Sequence, residues 1–370
     1  MKKIVMARSN PVEPDSRVEK EANSLANAGY EVILLAWDRT ANYRCKSDWK
    51  QLKDHRVRRI SFGAKAAYGA GMKSILSYLR FQISLLIWLM VNRNNYDICH
   101  LCDFDTAFTG SNICRLLRKK YVFDIFDYLS TDARSFSQRV LKRMEDGIIN
   151  HSNATIICTE DRKKQIQDAR PQKLVVIHNT PNLVRFEPVL SETVAIKVAY
   201  VGILQDYRLL LELGEYFKGR RDVELHIGGF GKYEKYFEEL AREYDNIVWY
   251  GRLPYEKTLE LEHSCDIMLA IYDPQIGNHR FAAPNKFYES LMLGRPVIMV
   301  RGTGMSDLVE KYDIGELIDY SVNGFDHGLN ALIARRSEWT AMGKRMQRLY
   351  EDFYSWNVME KRLVDLYRDL

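Results

Sequence analysis

No apolar run in this sequence is long enough to cross a bilayer. The stretch FQISLLIWLMV at 81–91 offers eleven uncharged residues, whereas about 20 are needed to span ~30 Å of hydrocarbon. The opening MKKIVMARSN carries two lysines but no apolar segment of the kind a signal peptide requires, so a cytoplasmic chain is expected. Six cysteines lie scattered at 45, 99, 102, 114, 158 and 265, without the spacing of a disulfide framework, which fits a reduced compartment. Low-complexity segments and solenoid-period repeats are missing too, which argues against disordered and repeat architectures. The first apolar strand is followed by ARSNPVEP in place of G-x-G-x-x-G, which counts against a nicotinamide oxidoreductase. CHLC at 99–102 is a lone C-x-x-C without a second pair, too little for a zinc or redox centre.

What is present is a folded, soluble composition: 46% hydrophobic, 28% charged and 12% aromatic over 370 residues. Such a length predicts two domains, because single cores stop growing near ~250–300 residues. The net charge of +5 conceals an asymmetry. Residues 1–185 hold 31 Lys/Arg against 19 Asp/Glu, a net of +12, and the remainder 23 against 30, a net of −7. The excess is densest from Arg44 to Arg80, where ten basic residues face only Asp48 and Asp54, and the apolar 81–91 stretch follows directly. A basic segment beside an apolar helix fits peripheral contact with an anionic membrane at the inner face of the cell. It equally fits a buried helix of an α/β layer preceded by a solvated basic loop. Nucleic acid is not expected as a partner, since no aromatics interleave the charges.

Both halves alternate strand and helix. KIVMA (3–7), EVILLAW (31–37), YDICHL (96–101), KYVFDIF (120–126), ATIICT (154–159) and KLVVIHN (173–179) read as buried strands. Between the first two, Asp15 or Ser16 caps a helix whose apolar face is Val18, Ala22, Leu25 and Ala26. The pattern restarts with IKVAYVGI (196–203), VELHIGG (223–229), NIVWYG (246–251), CDIMLAIY (265–272), RPVIMV (295–300) and GELIDY (315–320). Helices are read between them at LLLELGEYFKG, KYEKYFEELAREY, EKTLELEHS and NKFYESLML. The expected fold class is therefore α/β: two Rossmann-like, doubly wound domains facing across a cleft, the usual ligand position in such folds. Domain boundaries are placed at 1–183 and 184–353, with PNLVRFEPVLSET (181–193) as linker and a final amphipathic helix over 354–370.

One helix carries the sharpest question. In APNKFYESLMLGRPVIMV (283–300) a helix opens at Pro284, closes at Gly294, and holds Lys286 and Glu289 in its first turns. Its N-terminus at Asn285 presents unpaired N–H groups and a positive dipole end, suited to a diphosphate. Lys286 can neutralise phosphate charge. GGFGKYE (228–234), which includes Gly229, reads as a loop where a donor base or phosphate approaches the backbone closely.

Together these stretches resemble a GT-B glycosyltransferase of the family-4 type, the retaining nucleotide-sugar transferases. The resemblance runs over essentially the whole chain. DSRVEKEANSLANAGYEVILL (15–35), YDICHLCDFDTAFTG (96–110), YVFDIFDY (121–128), VIHNTPN (176–182), YVGIL (200–204), LHIGGFG (225–231), VWYGRLP (248–254) and APNKFYESLMLGRPVI (283–298) follow in the family's order. It implies a GT-B architecture with the acceptor on the first domain, a nucleotide-sugar donor on the second, and a last helix that crosses back. It further implies that Glu289 accepts both ribose hydroxyls, that Gly202 and Arg208 serve the donor phosphates, and that no metal or other cofactor is needed. The Glu eight positions before Glu289 is replaced by Phe281, so sugar contacts would fall to Asp273, Asn278, His279 or Arg280. On the acceptor side the family's His is Phe126, with Asp127 for the following Glu, while His100 matches the first His of its "HaHD" stretch. Asp103, Asp105 and Asp127 are expected to orient the acceptor hydroxyl or to cap helices. Arg17 and Lys20 are expected either to hold an anionic acceptor such as a lipid diphosphate or to lie on a solvated helix face. The implied reaction moves a hexose-type sugar from a UDP- or GDP-sugar to a glycan or lipid-linked acceptor of a surface polysaccharide or glycolipid. A non-catalytic subunit of the same fold and a nucleotide-sugar epimerase are the alternatives.

Overall fold

The computed structural model describes residues 1–66, 74–129, 135–187 and 195–370; the latter part of the expected linker, 188–193, lies outside the described residues. The chain divides into two compact units, Met1–His178 with Met359–Leu370, and Asn179–Val358.

The first unit is built on β1 (Lys3–Arg8), α1 (Ser16–Asn27), β2 (Glu31–Asp38), β3 (Tyr43–Gln51) and β4 (Arg56–Gly63), followed by α2 (Ile75–Val91) and β5 (Ile98–Cys102). It continues through α3 (Asp103–Leu116), β6 (Lys120–Ile125), α4 (Phe136–His151), β7 (Ala154–Ile157) and β8 (Leu174–Val176). The sheet order is β3-β4-β2-β1-β5-β6-β7-β8, parallel except for the β3–β4 pair. Strands β1, β2 and β5 to β7 are near-continuous apolar runs because both faces of a parallel sheet are covered by helices. Asp15 caps α1, its side chain accepting from the Val18 N–H. The basic segment is not a loop: it pairs as an antiparallel hairpin on the sheet edge, and β4 adds in parallel to β2. Part of its charge is met locally, since Arg59 binds Asp48 at 2.8 Å and Glu13 at 2.5 Å. The helix after it is buried on its inner side, where Phe81 stacks on Trp37 with centroids 4.9 Å apart. No helix among the described residues is long and apolar enough to cross a membrane.

The second unit runs β9 (Ile196–Leu204), α5 (Leu210–Lys218), β10 (Val223–Gly231), α6 (Glu234–Glu243), β11 (Ile247–Trp249), α7 (Tyr255–Ser264) and β12 (Ile267–Ala270). Then come α8 (Asn285–Leu293), β13 (Val297–Val300), α9 (Ser306–Tyr312), β14 (Gly315–Ile318), α10 (Val322–Ala334) and α11 (Trp339–Leu349). Its all-parallel sheet has the order β11-β10-β9-β12-β13-β14. The strand order reverses between β9 and β12, and ligands bind at the carboxyl ends of strands flanking such a point. The last helix, α12 (Trp356–Arg368), returns most of its length to the first unit. There Tyr367 lies buried against His100, the hydroxyl 2.7 Å from Nδ1.

Candidate functional site

Helix α8 is not a surface helix. Phe287 through Leu293 are all buried, which leaves only the first turn to meet solvent or ligand. Among the described residues no side chain caps that turn; the Phe287 N–H is bound to the Pro284 carbonyl at 3.0 Å, and the N–H groups of Asn285 and Lys286 are left to face an anion. Lys286 leans back over the end of β9, its ammonium 4.8 Å from the centre of the Tyr200 ring. A methyl group on Gly202 would come within 2.5 Å of Lys286 Nζ. Gly202 pairs with Gly229 on β10, and any side chain at Gly229 would overlap the Gly202 carbonyl oxygen. These two glycines keep the strand ends low enough for Lys286 to lie over them.

The Lys286 ammonium lies over the Tyr200 ring, and among the described residues no ion pair joins it to a carboxylate. Burial works against its charge, but Tyr200, Tyr272, Glu289 and Glu262 outweigh that and hold its pKa above the ordinary lysine value. A second cation stands nearby in chemistry. The Arg208 guanidinium lies 3.6 Å over the ring of Tyr272, which follows β12, and its buried Nη1 has no partner among the described residues. Arg208 is held between two residues in the left-handed region, Tyr207 at φ 66° and Leu209 at φ 55°, a conformation such residues adopt only where surrounding structure imposes it.

Glu289 is 4% exposed and accepts a hydrogen bond from the Tyr255 hydroxyl at 3.0 Å. Behind it Glu262 of α7, 1% exposed, has neither oxygen hydrogen-bonded among the described residues. Burial and the neighbouring Glu289 push the Glu262 carboxyl well above the usual range. Asn285 accepts from the Asn179 amide at 3.0 Å. The residues named as substitutes for the missing first Glu close their own loop. Asp273 accepts from the Gln275 N–H, His279 binds the Asp273 carbonyl at 2.9 Å, and Arg280 donates to the Pro274 carbonyl.

In the first unit the expected residues separate. Asp103, at φ 59° on the first residue of α3, accepts the backbone N–H groups of Phe126 and Asp127 at 2.8 and 3.1 Å and pairs with Arg8. It is a clamp between β5 and β6. Asp105 accepts from Ser9. Asp127 is exposed and paired with Arg162 at 3.2 Å. Lys20 is half-buried on α1. The sequence puts Arg17 either before an anionic acceptor or on a solvated face; the structure turns it inward instead. Its guanidinium donates to Asp124 at 2.7 Å and to the Ile177 carbonyl at 2.9 Å, and pairs with Glu21 at 3.2 Å. His100 is inward as well, with Nε2 3.2 Å from Asp124 and Nδ1 on Tyr367. Burial opposes the Asp124 charge, but Arg17 and His100 bring its pKa below the usual carboxylate value. His100, Cys102 and Asp124 hold ligand atoms within 4.8 Å of one another, yet the guanidinium on Asp124 already occupies the place a cation would need.

The comparisons with known proteins agree across both units. Residues 196–352 match the family model described as "Glycosyl transferases group 1", and residues 14–180 the "Glycosyl transferase 4-like domain". The chain belongs to the GT-B glycosyltransferases. Among solved structures, this glycosyltransferase resembles the sucrose-phosphate synthase of Thermosynechococcus elongatus, at 15% identity and TM-score 0.77, covering 100% of this chain and 99% of that one. Anabaena HepE, solved in complex with UDP and glucose, gives 14% identity and TM-score 0.73 with 100% of both chains covered. The lipopolysaccharide outer core galactosyltransferase WaaB gives 15% and 0.66, again covering 100% of both. No curated protein sequence matches it.

Within this glycosyltransferase, Gly202, Gly229 and Lys286 come together on one strand end, with Glu289 three residues further along α8. Lys286 and Arg208 each lie over a tyrosine ring, Tyr200 and Tyr272 respectively. Sequence reading missed Arg8, Asp124, Tyr255, Tyr272 and Glu262. Tyr255 and Glu262 precede Glu289 by 34 and 27 positions, and only a fold that lays α7 beside α8 connects them. Phe126, at the family's histidine position, lies under two guanidinium groups, Arg8 at 4.2 Å and Arg17 at 4.5 Å from its ring centre.

Proposed function

We propose that this glycosyltransferase is a retaining, metal-independent hexosyltransferase. It takes its sugar from a nucleoside diphosphate sugar, with UDP favoured over GDP, and gives it to a glycan or lipid-linked acceptor in surface polysaccharide or glycolipid synthesis. The observation that carries this is a pair of cations without carboxylate partners among the described residues: Lys286 in the open first turn of α8, and Arg208 over the ring of Tyr272. They supply fixed positive charge where a leaving diphosphate develops negative charge, so a metal ion is not required for that task. Glu289 accepts the ribose hydroxyls, with Tyr255 fixing its carboxylate. UDP is preferred because a relative in fold, HepE, has been solved with UDP and with UDP-glucose.

In the proposed step the bond from the sugar C1 to the diphosphate oxygen breaks and a bond from C1 to the acceptor oxygen forms on the same face. The acceptor proton passes to the departing phosphate oxygen. No protein nucleophile is needed, which accords with Phe126 in place of the family's His. On the acceptor side Asp127 and Lys20 remain for the hydroxyl and its anionic neighbour, while Asp103, His100 and Arg17 hold the unit together. We place the protein in the cytoplasm, peripheral to the inner face of the cell membrane. The covered ring of Phe126 also favours a second reading, a non-catalytic subunit that binds nucleotide without turnover. Measurement of UDP release from UDP-sugars, with and without acceptor extracts, separates the two: nucleotide binding without release would support the subunit.

A further inference from the structure

Among the described residues, nothing covers the outer face of α2. Its inner face is fully engaged, with Phe81, Leu85 and Leu89 buried. Yet the side turned away from the sheet is also apolar: Leu76 is 78% exposed, Leu79 49%, Ile83 57%, Leu86 42%, Ile87 44% and Val91 73%. The spacing of three and four residues lines them up on one stripe. Seventeen residues make that stripe about 25 Å long at ~1.5 Å per residue. A soluble monomer rarely leaves so continuous an apolar face to water. The helix carries no Asp or Glu, and its one charge is Arg80.

Sheet register places further groups on the same side. Trp49 of β3 pairs with Arg58 of β4, and Ile60, two residues on from Arg58, belongs to the core cluster that includes Phe81 and Leu85. Side chains alternate across a strand, so Trp49, Arg56 and Arg58 project from the face that α2 covers. Trp49 is 62% exposed. The acidic residue of the hairpin points the other way, because Asp48 pairs with Arg59, and Arg59 reaches the Glu13 carboxylate before α1. Lys65 before the helix and Arg93 after it are exposed as well.

We propose that this face, the α2 stripe with Trp49, Arg56 and Arg58, is a docking surface for an anionic lipid bilayer. The inference rests on the peripheral placement proposed above and names the surface that produces it. The helix lies in the interface plane, its stripe among the acyl chains, Trp49 at headgroup depth and the arginines on lipid phosphates. Charge decides between a bilayer and a second copy of this chain. A two-fold dimer through the stripe pairs this face with itself, setting Arg56, Arg58 and Arg80 against a second copy of a face to which neither α2 nor Asp48 offers a carboxylate, a like-charge juxtaposition that interfaces avoid. An anionic membrane complements the same set.

The test is flotation of the full chain with phosphatidylcholine vesicles, with and without phosphatidylglycerol, at low and high salt. The protein is expected to float only with anionic vesicles at low salt. Arg56→Ser and Arg58→Ser should each lower partitioning about fivefold, and Ile83→Glu with Leu86→Glu at least about tenfold. All four positions are solvent-exposed, so melting temperature and nucleotide affinity should stay at the parent's values, and the salt dependence of the parent protein needs no variant. Failure of the parent to float, equal flotation of the Ile83/Leu86 variant, or a parent dimer that this variant dissolves would each overturn the proposal. Flotation uses neither donor nor acceptor, so it fails independently of the glycosyl-transfer reading.

Discussion

Arg17 separates the structural account of the first unit most sharply from the one its sequence suggests. It is 3% exposed, and its guanidinium is shared among Asp124, Glu21 and a backbone carbonyl. In Arg17→Leu the side chain's volume is roughly kept, but Asp124 and Glu21, both fully buried, lose their cation. Breaking a buried pair by removing one partner costs ~3–5 kcal/mol, because the remaining charge is uncompensated. For a unit of this size that is roughly 2–4 °C per kcal/mol, so its thermal transition should fall by about 6–20 °C. Differential scanning calorimetry reads this directly, and UDP affinity serves as the control on the second unit. Replacing Asp124 by Leu as well should recover part of the loss, since the stranded carboxylate is then gone. If instead Arg17→Leu melts where the parent does and raises only the acceptor KM, Arg17 meets substrate, and the buried network described here is wrong.

Two further outcomes follow from the same geometry. Lys286→Met should weaken nucleoside diphosphate binding roughly 10–100-fold, from the ~1.5–3 kcal/mol of a charge-assisted contact, while stability changes little because no directed hydrogen bond is lost; calorimetric affinity unchanged from the parent would contradict this. The pH dependence has a definite sign. Asp124 is held below the usual carboxylate range and Glu160, opposed by burial but paired with His178, is held down to about 2. A depressed carboxylate contributes stability above its unfolded pKa near ~4 that is lost as pH falls through the folded value. The first unit should therefore lose melting temperature between pH ~5 and ~2, less steeply in Asp124→Asn, and a flat profile would count against both pairs.

The strands were the legible part of the fold, because a parallel sheet covered on both faces demands continuous apolar runs. The hairpin of β3 and β4 escaped for the opposite reason. It is an edge element whose apolar positions, Val57, Ile60 and Phe62, are interrupted by Arg58 and Arg59, so net charge hid the alternation. In the second unit Pro284 and Gly294 bracketed α8 unmistakably, and Lys286 and Glu289 could be picked out inside it. What surrounds them could not, since Tyr255, Glu262 and Tyr272 arrive from other elements. His100 and Arg17 show the limit most plainly. Each looked like surface chemistry by motif, yet their partner Asp124 lies 24 and 107 positions away, and pairing at such range is set by the fold.

Binding of UDP, GDP, dTDP and CMP to the purified chain by calorimetry, with Glu289→Ala in parallel, is the measurement closest to the central claim. The account predicts that UDP binds, that affinity falls about tenfold or more in the variant as a buried carboxylate contact is lost, and that the variant remains folded. No binding by any of the four, or the same UDP affinity in Glu289→Ala, would contradict it.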